Sequence, residues 1–225
     1  MADSIEKDPD FIYSRRELRE LPVTLELVEG GYGRTGRVWD LLARQVWAEH
    51  APDGSYRTIG HSESGAPLLV TDSGNETWRR ISVSHTKGML AIATLERPVT
   101  PELDPENFCA EAALGIDVER ADRDKAVAVR RRFLSPGELP LAGEDDTAAH
   151  VLAWTCKEAM LKLALNPSAD IREDLRIESL PVFRESDGKG IVRLPDGHTI
   201  AVGLHSLRLG PYILTVATLQ PEYLL

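Results

Sequence analysis

The alternation of hydrophobic and polar positions predicts a chain of short strands with a few helices between them. In the first half, strand-like runs cover residues 21–29, 68–70, 81–85 and 89–95. In the second half, they cover residues 114–118, 176–183, 190–194, 199–205 and 212–219. Helical spacing of apolar residues covers residues 37–50, 125–134 and 150–165. This mixture of strands and helices predicts an α+β fold, and residues 1–20 are assigned to a polar lead-in or an edge element.

The two halves of the chain repeat one pattern. The segments MLAIATL (residues 89–95) and ILTVATL (residues 213–219) align without gaps and share leucine, alanine, threonine and leucine. In each half a helix precedes a hairpin that ends in such a segment. We therefore predict two similar α/β lobes, a pseudo-twofold duplication in one chain. The stretch 96–110 is rich in proline and glutamate and is the predicted linker, so the predicted domains are residues 1–105 and 106–225.

Composition and charge narrow the possible partners. The 225 residues are 42% hydrophobic and 28% charged, which is ordinary for a globular protein. No apolar run approaches the roughly 18 residues of a membrane helix, and the N-terminal residues lack the order of a secretory signal. Two cysteines, Cys109 and Cys156, do not make a disulfide framework, so we expect a cytoplasmic protein. A net charge of −10 argues against nucleic acid or a membrane as partner, so any phosphate binding needs local basic groups or a metal.

The predicted strand 114–118 runs into two acidic residues, Asp117 and Glu119. Because side chains alternate in a strand, both carboxylates point to the same face, about 7 Å apart at their Cα atoms. They repel each other unless a cation lies between them. A solvated outer face explains such a pair on many strands, whereas its place at the end of an apolar strand suits a hard-cation site.

The predicted helix 150–165 carries a further acid and a base one turn apart. Glu158 and Lys162 are four residues apart, a spacing that is common in exposed ion pairs on helix surfaces. An exposed ion pair would explain Glu158 and Lys162 if they were considered alone. It does not explain the order in which G-I-D-V-E (115–119), R-F-L-S-P-G-E (132–138) and W-T-C-K-E-A (154–159) follow each other along the chain.

In these ordered motifs the sequence resembles the large, pseudo-dimeric 4′-phosphopantetheinyl transferases that activate peptide synthetases, in the branch that carries W-x-x-K-E-A. The resemblance runs from about residue 37 to residue 165 in motif order. It implies transfer of the phosphopantetheine arm of coenzyme A to a serine of an apo acyl or peptidyl carrier protein, with release of 3′,5′-phosphoadenosine. It further implies a holo-carrier-protein synthase that is monomeric, with the active site at the interface of the two lobes.

The resemblance assigns roles to the acidic and basic residues of the second half. It implies Mg²⁺ on Asp117, Glu119 and Glu158, where the ion would neutralise charge on the pyrophosphate. The catalytic residues are then Glu158, Glu119 and Lys162: Glu158 is the first choice as general base, directly or through a water, and Glu119 the second. Lys162 would stabilise or protonate the leaving phosphate, and Lys157 would be a second phosphate contact. Glu138 matches a family glutamate whose role stays open.

Other residues match the family elements that hold the 3′-phosphate of coenzyme A. Ser84 and His85 match its S-H element, although a lone histidine at a strand end is more often structural. Arg37 and Arg44 match basic helix positions, with Arg34 as a competitor for Arg37, and solvated arginines would look the same. One departure concerns Ala66, which stands where the family often has lysine or arginine between glycine and proline. A cation is lost there, so either the affinity for coenzyme A is lower or another basic residue, such as Arg79 or Arg80, replaces the cation.

The segment Arg120–Arg132 is the predicted docking surface for the carrier protein. It contains six basic residues against two acids, Asp122 and Asp124. Carrier proteins of this kind are acidic helical bundles, so an acidic enzyme needs a local basic patch to meet one. A basic helix that is merely solvated is the other interpretation.

Two further functions fit parts of the pattern. A Mg²⁺-dependent phosphohydrolase would use the same acids with water as the nucleophile. A carrier-binding module without catalysis is disfavoured, because the residues Asp117, Glu119, Glu158 and Lys162 are all intact.

Overall fold

The structure is a computed structural model that describes residues 11–18, 21–30, 43, 56–61, 65–71, 76–95, 114–166 and 168–219. The chain divides into two units, Met1–Pro98 and Val99–Leu225. The predicted linker 96–110, and with it the predicted division after residue 105, lies outside the described residues. Within the ranges above, no helix has both the length and the apolar character needed to cross a membrane.

The first unit contains a six-stranded antiparallel sheet in the order β1-β2-β6-β5-β4-β3. Its strands are β1 (Phe11–Leu18), β2 (Val23–Gly30), β3 (Tyr56–His61), β4 (Pro67–Thr71), β5 (Glu76–Thr86) and β6 (Met89–Leu95). Every residue of β6 is buried, as its unbroken apolar run predicts. Thr86 pairs with Met89 across a two-residue turn, where Gly88 has a φ of 85°, the positive value that such tight hairpins require.

The first unit agrees with one sequence prediction and departs from another. The N-terminal segment forms the edge strand β1 over Phe11–Leu18, which is the second of the two structures predicted for residues 1–20. Strand β3 was not predicted, because its sequence YRTIGH has no clear alternation, and it is defined by its pairing with β4. The predicted helix 37–50 lies outside the described residues except for Ala43, which is helical.

The second unit contains a five-stranded antiparallel sheet in the order β7-β11-β10-β9-β8, with two α-helices. Its strands are β7 (Leu114–Arg120), β8 (Leu175–Ser179), β9 (Gly188–Arg193), β10 (Thr199–Leu209) and β11 (Tyr212–Leu219). The helices are α1 (Lys125–Phe133) and α2 (Thr147–Ala164), with a short 3-10 helix at Leu139–Ala142 between them. All five strands and both helices of this unit follow the predicted order, so the described chain has the predicted α+β composition.

Helix α2 packs along one face of this sheet and forms the main core of the second unit. Its N-terminus begins at Asp146, whose side chain accepts a hydrogen bond of 3.0 Å from the amide of Ala149 and so satisfies one helix-terminal donor. Buried residues of α2, among them Met160 and Leu163, pack with Ile213 and Ala217 of β11. Burial of each such large side chain stabilises the fold by about 1.5–3 kcal/mol.

The same strand order occurs in both units. In the first unit β2-β6-β5-β4-β3 form five consecutive positions, and in the second unit β7-β11-β10-β9-β8 do so. In the first unit the last strand, β6, lies between β2 and β5. In the second unit the last strand, β11, lies in the same way between β7 and β10. The aligned segments 89–95 and 213–219 are therefore equivalent strands of two sheets. The duplication as a whole, and the placing of an active site at a lobe interface, stay predictions.

Candidate functional site

Strand β7 carries Asp117 and Glu119 on the face of the sheet that helix α2 covers. The two residues pair with Thr215 and Ile213 of β11, and alternation places them on the same face as Gly115. A Cβ atom on Gly115 would lie only 2.0 Å from the carbonyl oxygen of Ala159 in α2. The absence of a side chain therefore allows the helix to approach the strand closely. Asp117 and Glu119 are each 7% exposed beside it.

Helix α2 brings Lys162 onto the carboxylate strand. The Lys162 ammonium donates a hydrogen bond of 2.9 Å to Asp117 Oδ1 and a second of 2.9 Å to the backbone oxygen of Ile116. The first is also an ion pair, since Lys162 is the basic partner of Asp117. Two motifs that are 45 residues apart in the chain thus meet at this point.

Glu158 lies one helical turn before Lys162 and belongs to the same group of charges. Burial raises the pKa of Glu158 above its ordinary value, and the negative charge of Asp117 raises it further. The positive charges of Lys162 and Arg123 act in the opposite direction. Because charges influence a pKa only when they are near, Glu158 lies near one acid that repels its charge and two cations that offset part of this repulsion.

Glu119 has a basic partner that the sequence analysis placed elsewhere. The Arg123 guanidinium forms an ion pair with the Glu119 carboxylate, whose other oxygen accepts a hydrogen bond of 2.9 Å from the amide of Arg120. Arg123 was predicted only as part of the carrier-docking segment. The four-residue spacing from Glu119 is the one sequence signal for this contact, and it is weak because Glu119 lies on a strand and Arg123 in the turn that follows.

The carboxylates of Asp117, Glu119 and Glu158 are suitable ligands for a hard divalent cation, but they are not arranged as a complete metal site. Among the described residues, no group of three acidic, histidine or cysteine side chains is close enough to hold a metal ion. Asp117 and Glu119 are instead paired with Lys162 and Arg123. Carboxylate oxygens are the ligands that Mg²⁺ prefers, and burial together with the charge of Asp117 raises the pKa of Glu158, so a nearby cation would favour its charged form. Binding of Mg²⁺ at the predicted site therefore requires that the ion pairs of Asp117 with Lys162 and of Glu119 with Arg123 break.

Lys157 is buried in the second unit. Its side chain is 0% exposed, and its ammonium forms an ion pair of 2.7 Å with Glu138 Oε1 and a hydrogen bond with the backbone oxygen of Leu175. The ammonium is thus enclosed and bonded to two groups of the protein, while the phosphate contact of Lys157 stays a prediction. Helical geometry turns Lys157 away from Glu158, since adjacent helix residues point about 100° apart.

The same contacts give Glu138 a role. Its carboxylate accepts hydrogen bonds of 2.8 Å from the amide of Ser135 and of 2.6 Å from the amide of Ile177. Burial acts to raise the pKa of Glu138, but the bonds from Lys157 and from the two amides outweigh it and hold the pKa below its ordinary value. Glu138 therefore fastens the loop after α1 to strand β8 and to helix α2.

A cluster of hydroxyl groups lies under the site. Thr215, the cross-strand partner of Asp117, shares hydrogen bonds of 2.8 Å with Thr155 of α2 and with Ser206 of β10. Burial raises the pKa of the adjacent Cys156 thiol to about 12, so this cysteine is protonated and unreactive at neutral pH. The cluster joins the helix to the strand directly below Asp117.

The first unit contains a pocket that includes His85. Its volume is about 200 Å³ and it is lined by Ala43, Ile59, His61, Gly65, Pro67, Val83 and His85. His85 and His61 are both exposed, whereas Ser84 is buried on the opposite face of β5. Of the predicted S-H element, only the histidine thus lines the pocket, and His61 is an additional imidazole that the sequence analysis did not select. Arg34, Arg37 and Arg44 lie outside the described residues.

The predicted docking segment Arg120–Arg132 divides into two kinds of basic residue. Arg120 is occupied by Asp122, with bonds of 3.0 and 2.6 Å, and Arg123 by Glu119. Lys125, Arg131 and Arg132 are exposed on α1 and form no ion pair with any acid in the described part of the chain. Their charge is available to a partner.

Residues 113–217 match the family model of the 4′-phosphopantetheinyl transferase superfamily. The match includes every predicted site residue of the second unit, and it supports a phosphopantetheinyl transferase as the general class of enzyme. Members of this superfamily use coenzyme A, generally with Mg²⁺, and act on carrier proteins. A search of curated proteins finds no match to the chain.

Proposed function

We propose that the chain transfers 4′-phosphopantetheine from coenzyme A to a serine of an apo acyl or peptidyl carrier protein, with release of 3′,5′-phosphoadenosine. The proposal starts from the family match of residues 113–217. The observation that carries it is the group formed by Asp117, Glu158 and Lys162, in which two acids raise the negative charge density beside a lysine. The common strand order of the two units favours the large, pseudo-dimeric branch. From the resemblance alone we further propose a cytoplasmic monomer with its active site at the lobe interface.

Glu158 is the proposed general base, with Glu119 as the second choice. A carboxylate whose pKa is raised accepts a proton more readily than an ordinary one, and burial together with Asp117 raises that of Glu158. The carrier serine gives its hydroxyl proton to this base, directly or through a water. Its oxygen forms a bond to the phosphorus next to pantetheine, and the bond from that phosphorus to the bridging oxygen breaks.

The reaction develops negative charge on the leaving phosphate, and Lys162 is the residue that we propose to stabilise this charge. The Lys162 side chain is 31% exposed and its ammonium donates hydrogen bonds to Asp117 and to the backbone oxygen of Ile116. An ammonium has three N–H donors, so Lys162 can donate a proton or a further hydrogen bond to the departing phosphate. Mg²⁺ held by Asp117, Glu119 and Glu158 would neutralise charge on the pyrophosphate. Asp117 would then release Lys162 towards the phosphate.

The pocket of the first unit is the proposed contact for the 3′-phosphate of coenzyme A, with His85 as the contacting side chain and Arg37 and Arg44 as further predicted contacts. Ser84 stays a contact predicted by the resemblance, although its side chain does not line this pocket. His85→Ala should raise the KM for coenzyme A about tenfold, as expected for loss of one charge-assisted hydrogen bond. The KM for 3′-dephospho-coenzyme A, which lacks that phosphate, should not change. An equal rise for both substrates would contradict the assignment.

The exposed basic residues of α1 are the proposed docking surface for the carrier protein. Lys125, Arg131 and Arg132 present positive charge that no acid in the described residues neutralises. An acidic carrier helix would be attracted to them, and such contacts act mainly on the rate of association. The chain as a whole is acidic, so this local charge would direct the carrier to one face.

The test of the function is mass spectrometry of a panel of apo carrier proteins after incubation with the chain, coenzyme A and Mg²⁺. A mass increase of one phosphopantetheine on the carrier is expected. Asp117→Ala should abolish the increase, whereas Glu178→Ala, which removes an exposed acid of β8 paired with Arg176, should leave it intact. Full Mg²⁺-dependent transfer by the Asp117→Ala variant would refute the site.

The same incubation separates the alternatives. A phosphohydrolase acting on the pyrophosphate would release free phosphopantetheine and leave the carrier unmodified, because water would be the nucleophile. A module that only binds carriers would form a complex with the apo carrier and change neither coenzyme A nor the carrier mass. Both outcomes overturn the proposed transfer.

A further inference from the structure

Arg123 lies among the acids of the site, although the sequence pattern assigns it to the docking surface. Its guanidinium is ion-paired with Glu119, and its positive charge also lowers the pKa of Glu158. It therefore acts on two of the three predicted metal ligands from one position. Arg123 is 41% exposed and lies in the turn between β7 and α1, so its side chain has open space into which it can move.

The guanidinium and a divalent cation require the same oxygen atoms. Glu119 uses one carboxylate oxygen for the amide of Arg120 and the other for Arg123. A cation that coordinates Glu119 would compete with Arg123 and with the amide for these oxygen atoms, and the long exposed side chain is the easier of the two to displace. Lys162 stands in the same relation to Asp117, so a basic residue is paired with each of the two strand carboxylates.

We propose that Arg123 is the counter-ion that Glu119 exchanges for a divalent cation, and that the released guanidinium binds the pyrophosphate of coenzyme A. This inference rests on the proposed function for its substrate. An arginine suits the second step, because its planar fork donates two parallel hydrogen bonds to phosphate oxygens. The exchange keeps the charge of the site nearly balanced before and after substrate binding.

The experiment titrates the full chain with Mn²⁺ by calorimetry in the absence of coenzyme A. Arg123→Gln should bind Mn²⁺ about fivefold more tightly than the unchanged chain, since a half-exposed ion pair no longer competes. Arg123→Lys keeps the charge and should stay within about twofold of the unchanged chain. Arg131→Gln is the matched control: it removes the same charge from α1, where no described acid is paired with it, and should also leave the Mn²⁺ affinity within about twofold.

A second titration adds coenzyme A at saturating Mg²⁺. Here Arg123→Gln should weaken binding about tenfold, and Arg123→Lys should weaken it as well because the fork is lost. The exchange is overturned if Arg123→Gln and the unchanged chain bind Mn²⁺ with equal affinity. It is also overturned if neither of them binds Mn²⁺ measurably. A rise of the same size in Arg131→Gln overturns it too. Tighter Mn²⁺ binding with unchanged coenzyme A affinity overturns the pyrophosphate contact.

The two proposals fail in different ways. If the unchanged chain modifies no carrier but Arg123→Gln gains Mn²⁺ affinity, the transfer is wrong and the exchange at Glu119 stands. If the carrier is modified and the Mn²⁺ affinities are equal, the transfer stands and the exchange is wrong.

Discussion

Replacing Gly115 by alanine would push helix α2 away from strand β7 at the point where the site is assembled. The new Cβ would lie 2.0 Å from the backbone oxygen of Ala159 and 2.6 Å from the amide nitrogen of Leu163. Ordinary contact begins at 3.4 Å, so the closer approach is short by about 1.4 Å. Both atoms belong to the helix backbone, which cannot rotate aside as a side chain can, so the helix itself must move.

The expected cost follows from that displacement. Overpacking of this kind lowers the free energy of unfolding by about 1–3 kcal/mol. Glu158 and Lys162 flank the contacted positions Ala159 and Leu163 on α2, so they move with the helix. The 2.9 Å bond from Lys162 to Asp117 would lengthen. A misplacement near 1 Å reduces catalysis about 100-fold, and we expect that loss in kcat/KM for carrier modification.

Urea denaturation and the kinetics of carrier modification measure the two effects, and another strand glycine provides the control. At Gly203 in β10, an added Cβ would meet only Thr218 Oγ1 at 3.8 Å, an ordinary contact. Gly203→Ala should therefore keep its activity and gain up to about 1 kcal/mol of stability, because alanine has less freedom than glycine in the unfolded chain. If Gly115→Ala matches Gly203→Ala in both measurements, the close approach does not position the site.

Three further changes test other parts of the second unit. Lys157→Met should lower the free energy of unfolding by about 3–5 kcal/mol, because it leaves the buried carboxylate of Glu138 unpaired, and the double variant with Glu138→Gln should lose less in the same denaturation assay. In the folded state the pKa of Glu158 is raised above 4.5, so the folded state binds this proton more tightly than the unfolded state does. Protonated Glu158 therefore stabilises the fold at low pH, and the contribution is lost as the pH rises through the pKa of the folded state. Relative to the unchanged chain, Glu158→Gln should thus gain stability from about pH 4 to pH 7, and parallel urea curves across that range would contradict the shift. Reversing the charge of Arg131 and Arg132 together should raise the KM for the carrier about tenfold and leave that for coenzyme A unchanged; equal effects in steady-state kinetics would exclude carrier docking at α1.

The strands of the fold were predictable where local pattern and burial agree. The apolar segments 89–95 and 213–219 became β6 and β11, whose residues are all buried, because a central strand must be apolar on both faces. Strand β3 was missed because its sequence, YRTIGH, carries little pattern of its own. It exists through hydrogen bonds to β4, and such partners are chosen by the whole sheet.

The sequence by itself determined which residue types the site contains and that Asp117 and Glu119 share a face, because alternation along a strand is a local property. It also determined that Glu158 and Lys162 lie one helical turn apart. Only the tertiary structure decided that Lys162 reaches Asp117, that Arg123 binds Glu119 and that Lys157 points into the core towards Glu138. The physical reason is that these contacts depend on where a helix crosses a sheet and how closely Gly115 lets it approach, which no local pattern specifies.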